Sequence, residues 1–153
     1  MNIVEQYTDT LNWVQRAGEL LVVVSVVLMA GFFILHQSRD TGFFTARFGT
    51  LEKILLYSPI LFRISFSLTK AVIGHYTPAR PFEAATGLLL GVAAVWFLIV
   101  FPFDFGHLAD VLPRGLRFAV AWVSNEIGKI VLVLQVIAGP IITISALRAY
   151  FGS

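Results

Sequence analysis

The chain has no cysteine, which excludes disulfides, thiolate metal ligands and thiol nucleophiles and leaves the redox compartment unmarked. Charge is also scarce. Asp, Glu, Lys and Arg make up 13% of the 153 residues, against about 25% in ordinary soluble domains. The eleven basic residues are scattered between apolar runs and form no stripe or patch of the kind that nucleic acids require, so no nucleic-acid partner is expected. There is no phosphate-cradling glycine loop, nucleophile elbow, HExxH pair or carboxylate-rich metal motif. The expectation is a protein that is not an enzyme and carries no cofactor or metal.

Apolar residues are what the chain has in abundance, at 58% with a mean hydropathy of +0.83. A folded chain this short keeps much of its surface exposed, so in water it would present large apolar patches. Hydrocarbon as solvent removes that conflict. The expected fold is therefore all-α, a polytopic membrane helical bundle making one membrane domain over residues 1–153, in contact with a lipid bilayer. The short loops suggest a prokaryotic cell membrane. Glu5, Asp9 and Glu19 against a single Arg16 give the first stretch the wrong charge for a cleavable leader, so the first apolar run is expected to stay attached.

Four spans are read from the apolar runs, each near the roughly 20 residues that cross about 30 Å of hydrocarbon. Residues 20–35 carry no charge and extend to a span over 18–37; residues 84–101 are also uncharged, are closed by Pro102 and give a span over 83–102. From Arg117 to Phe151 there is room for only one crossing. A long helix is predicted there, with 129–149 spanning, 117–128 as a polar-tipped approach and a kink near Pro140. Before the first span, Val4, Tyr7, Leu11 and Val14 recur at helical spacing, predicting an amphipathic interfacial helix over residues 1–17. Residues 37–53 and 103–116 read as polar, turn-prone loops whose aromatics dip into the headgroups.

The segment 54–74 is the ambiguous one, because Pro59, Arg63, Ser67, Lys70 and Gly74 fall on one helical stripe, with Phe62, Phe66 and Ile73 placed apart from it. A charge at mid-bilayer costs from about 2.5 kcal/mol upward. Either the helix crosses with its stripe against protein or water, which the other apolar side chains favour, or it lies in the interface and leaves three spans. With four spans, Arg39, Arg47, Lys53, Arg114 and Arg117 face one side and Arg16, Arg80 and Arg148 the other. That balance places both termini outside.

Candidate sites are few. Arg63, Ser67 and Lys70, with Glu126, Lys129 and Gln135 on the last helix, are a candidate polar pathway, since intramembrane charges usually face an interior cavity. The plainer alternative is snorkelling by Lys70, a structural partner for Arg63 and a local Glu126–Lys129 pair. Gly87 and Gly91 form a GxxxG face extended by Ala94, and Gly128, Gly139 and Thr143 lie on a second small-residue stripe. Such faces let helix backbones approach closely, either within this chain or in an oligomer. His36, His75 and His107 share no depth in a four-span bundle, so haem is not expected and they read as interfacial. The leading functional expectation is a non-catalytic assembly subunit, working through helix packing in a homo-oligomer or larger membrane complex. The alternative is an oligomeric ion channel or transporter unit using Arg63, Lys70, Glu126 and Lys129.

Overall fold

The computed structural model describes residues 9–152, and its helices follow the apolar runs. α1 (Trp13–Ser38), α2 (Thr50–Ile73), α3 (Arg80–Val100) and α4 (Asn125–Phe151) form an all-helical bundle, and all four are long and apolar enough to cross a membrane. Residues 54–73 therefore belong to a full-length helix, although α2 is the least apolar of the four. Chain neighbours pack in sequence, α1 on α2, α2 on α3 and, most extensively, α3 on α4. No comparable contact joins α1 to α4 among the described residues.

Local chemistry sets the helix ends. Asn12 caps α1, its Oδ1 accepting from the Gln15 amide at 2.9 Å while Gln15 Oε1 accepts from the Asn12 amide at 2.9 Å, a reciprocal box that satisfies two otherwise orphaned donors. Glu52 Oε2 accepts from the Gly49 amide at 2.8 Å at the start of α2. The Ser124 side chain caps α4, so that helix begins at Asn125. The polar-tipped approach expected over 117–128 is thus corrected: Arg114–Ala119 is a short 3-10 segment and a turn follows it. Ser124 can accept from the first turn of a helix that starts after it, which breaks the expected continuity.

The amphipathic helix expected over 1–17 falls partly on residues outside those described. Asp9 to Asn12 are not helical and Trp13 onward is α1 itself. This segment is tied to the α2–α3 connection by the Leu11 amide on the Gly74 carbonyl at 2.8 Å and the Tyr76 amide on the Asp9 carbonyl at 3.0 Å. Those bonds occupy the backbone groups that an amphipathic helix would have used internally.

At the opposite end of the bundle the loop aromatics Phe43 and Phe103 turn into the protein rather than outward. Phe43 is 2% exposed and Phe103 7%, and their rings lie 5.7 Å apart within a cluster that takes in Phe33, Phe44, Phe97 and Phe105. The two loops are joined by the Asp104 amide on the Phe43 carbonyl at 2.7 Å and the Thr45 amide on the Pro102 carbonyl at 3.0 Å. Aromatic faces and edges buried against one another gain more than the same rings at an interface. Gly42, at φ 89°, permits this closure, since a Cβ there would stand 3.2 Å from the His107 ring.

His36 is corrected in the same way. It is 1% exposed, with Nδ1 2.6 Å from Thr41 Oγ1 and Nε2 3.1 Å from the Leu108 carbonyl. Both ring nitrogens find partners, which is what allows a histidine to be buried.

Candidate functional site

The small residues of α3 and α4 are spent on each other. A Cβ added to Gly139 would lie 2.7 Å from the Gly87 carbonyl oxygen and 2.7 Å from Gly91 Cα, and one on Gly87 would lie 2.7 Å from Thr143 Oγ1. Thr143 Oγ1 also donates to the Ala84 carbonyl at 3.2 Å. Ala94 is buried, and a Cβ on Gly128 would run into the Phe105 ring. Gly87, Gly91, Gly139 and Thr143 thus seat these two helices backbone to backbone within one chain.

The other side of the bundle is open. Between α1 and α4, floored by α2 and α3, lies an apolar cleft of about 770 Å³. It runs from Phe105 and Leu108 at the aromatic end, past Phe32, Leu132, Gln135, Ile60 and Leu90, to Arg63 and Glu83. A second cavity of about 630 Å³ adjoins it at the Asp9 end, lined by Thr10, Gln15, Arg63, Phe66, Lys70, Tyr76, Arg80 and Glu83. Arg63 and Glu83 line both cavities.

Phe66, placed apart from the polar stripe by the sequence reading, stands on it. Spacings of three and four carry Arg63, Phe66 and Lys70 onto one side of α2, and the Phe66 ring lies 5.1 Å from Arg63 Cζ and 4.0 Å from Lys70 Nζ. Lys70 is 5% exposed and is paired with Glu19 of α1. Ser67, between Arg63 and Lys70 on the stripe, is fully buried. Arg16 donates to the Ala71 carbonyl at 2.7 Å and to the Val72 carbonyl at 2.9 Å, neutralising the negative end of α2.

Asp9 closes this end from outside. Its Oδ1 accepts from the Thr77 amide at 2.8 Å and hydroxyl at 2.7 Å, and Oδ2 faces His75 Nδ1 at 3.2 Å. Burial alone would push the Asp9 carboxyl upward, but these bonds and the His75 charge outweigh it and hold it below the usual aspartate value.

Of the predicted polar pathway, Arg63 and Lys70 line one cavity and Gln135 shares the cleft with Arg63, while Ser67 is buried on the same stripe and lines neither cavity. Glu126 and Lys129 are elsewhere. They sit in the first turns of α4 at the aromatic end, with Glu126 Oε1 3.5 Å from Lys129 Nζ and the Glu126 side chain 77% exposed. The four charges share no path within one chain. Among the described residues, no group of three or more His, Asp or Glu is placed to hold a metal ion.

Sequence reasoning missed Glu19, Tyr76, Arg80 and Glu83. One signal could have found them: in an antiparallel hairpin the first turns of α1 and α3 lie level with the last turns of α2, so Glu19, Lys70, Arg80 and Glu83 belong to one layer. Comparison of the chain with protein-family models, with curated proteins and with solved structures gives no match.

Proposed function

We propose that this chain is a non-catalytic integral membrane protein that takes a lipid-like amphiphile sideways from the bilayer into the cleft between α1 and α4. One observation carries the reading. An apolar cavity within the roughly 300–1,000 Å³ range of small-molecule sites ends on Arg63 and Glu83, which also line the adjoining polar cavity. A long apolar volume that passes into a charged one matches a molecule with a tail and a head. The lack of extensive α1–α4 contact among the described residues gives the tail a lateral way in.

The test uses vesicles containing phosphatidylcholine with a diazirine at its acyl terminus. Ile60 and Phe97 line the cleft yet are 7% and 4% exposed, so bulk lipid does not reach them. Crosslinks at Ile60 and Phe97, lost when Leu90→Trp fills the cleft, are the expected result. Labelling confined to outward residues such as Val24 and Ile99 would remove the reading.

The assembly-subunit role is a second reading, favoured by α1. Its apolar window has no buried residue, and Leu20, Leu21, Val24 and Leu28 point away from the bundle, so a second membrane helix has room to pack there. Cysteine at position 21 should form disulfide-linked pairs in membranes if that face is an interface between copies. Cysteine at position 24 provides a neighbouring control, and the absence of pairs at both positions counts against a homo-oligomer through α1.

A further inference from the structure

We infer that the polar cavity at the Asp9 end holds the acidic phosphodiester headgroup of a membrane lipid whose tail lies in the cleft; this rests on the amphiphile reading above. Charge accounting leads to it. Lys70 is committed to Glu19. Arg63 and Arg80 also line the cavity, and no ion pair with a carboxylate engages either of them among the described residues. Glu83 is likewise unpaired. Two free guanidiniums against one free carboxylate leave a single positive charge in excess, which one phosphodiester anion balances.

Hydrogen bonding points the same way. Arg80 Nε is buried without a partner, as are Glu19 Oε2 and Ser67 Oγ. A buried donor left unbonded costs free energy comparable to a lost hydrogen bond, and an arginine offers its donors in a fork that matches phosphate oxygens. Arg63 approaches the same cavity with its charge resting near the Phe66 ring, a position that leaves its N–H donors open to an anion. Tyr76 and Gln15 on the cavity wall add neutral donors of the kind that orient a phosphate or its glycerol.

A lipid phosphate and a free phosphate share this chemistry, and the arrangement commits to the lipid, because Arg63 and Glu83 also border the apolar cleft. In the complex, the headgroup would lie at the Asp9 end and the tail would run toward Phe105 and Leu108.

The experiment reconstitutes the full chain in vesicles of phosphatidylcholine and phosphatidylglycerol in equal parts, each in turn carrying the acyl diazirine. It reads the ratio of the two lipids crosslinked at Ile60 and Phe97. The wild type should favour phosphatidylglycerol by about tenfold, because the choline of phosphatidylcholine carries a positive charge into a cavity already in positive excess whereas the net anionic headgroup balances it. The double variant Arg63→Gln with Arg80→Gln leaves Glu83 uncompensated and should bring the ratio to parity or below while keeping the crosslinks. Arg63→Lys with Arg80→Lys should restore part of the preference, and circular dichroism checks that each variant folds.

Equal uptake of both lipids by the wild type, with Ile60 and Phe97 still labelled, overturns the headgroup inference and leaves the cleft reading standing, whatever the variants do. No labelling at either residue removes the cleft reading and the inference with it. Thermal stabilisation of the detergent-solubilised chain by inorganic phosphate, lost in the Gln variant, would show a soluble-anion site and overturn the lipid assignment.

Discussion

α3 and α4 are held to each other by what they lack, and α1 is held to the bundle by what it carries. At Gly87, Gly91 and Gly139 the missing side chains let two backbones touch, and α3 contains six buried residues. α1 buries only His36. Its directional attachments are near its ends: Arg16 and Glu19 onto α2 at one, and at the other His36 onto the Leu108 carbonyl and Gln37 onto Tyr57, at 3.1 and 2.6 Å, beside Phe33 stacked on Phe43. Between those clasps, Val26, Met29 and Phe32 border the cleft. The contrast has a physical basis. Apolar surface gives little reason for helices to associate in lipid, so contact comes either from close packing of small residues or from hydrogen bonds and ion pairs. α3 and α4 use the first, and α1 relies on the second together with Phe33 in the aromatic cluster, which clamps its ends and leaves its middle free to line a cavity.

The comparison breaks most sharply at the glycines. Gly139→Leu should cost more than about 4 kcal/mol, a loss reserved for severe core disruption, because its side chain has backbone on its far side and nothing flexible to displace. Thermal unfolding in detergent measures it, and an unchanged midpoint would mean that α3 and α4 do not meet as described. The next largest effect belongs to the clasp. Lys70→Met should cost about 3 kcal/mol by leaving the Glu19 carboxylate buried and unpaired, and adding Glu19→Gln should recover much of it. If the single and double variants unfold alike in sodium dodecyl sulfate titrations, the pair does not hold α1.

The two modes of attachment were not equally legible in the sequence. Runs of uncharged residues announce spanning helices, and GxxxG with Gly139 and Thr143 at helical register announces a packing face, because both signals are periodic and local. The Glu19–Lys70 clasp joins residues far apart in the chain, and Glu19 at the edge of an apolar run reads as a boundary residue until the hairpin is drawn. Phe43 and Phe103 look like headgroup aromatics for the same reason: each sits in a polar loop, and only the meeting of the two loops buries them. Phe66 was recoverable from spacing alone, since it is three residues from Arg63 and four from Lys70. The cleft has no local sequence signal at all. It results from the lack of extensive contact between α1 and α4 among the described residues, which is a property of the whole arrangement.

Smaller effects sharpen the contrast. Gly31 of α1 has open space where a Cβ would go, so Gly31→Ala should be neutral or stabilise by up to about 1 kcal/mol through lower chain entropy in the unfolded state. A clear loss would show that α1 is packed along its middle after all.

The smallest expected effect is a pH dependence at the Asp9 end. The Asp9 carboxyl lies below its usual value in the folded chain, so its contribution is fully present above the ordinary aspartate range. It is lost as pH falls through the lower folded value, when protonation weakens the bonds to Thr77 and His75. The Leu11–Gly74 and Tyr76–Asp9 backbone bonds survive that protonation, which is why the change should be local and modest. Amide hydrogen exchange at Thr77, after correction for the intrinsic pH dependence of exchange, should lose protection on acidification in the wild type. In Asp9→Asn, protection should already be reduced at neutral pH and should not change further on acidification. A wild-type loss centred above the ordinary aspartate value would mean that protonation of the Asp9 carboxyl is not what releases this end of α1.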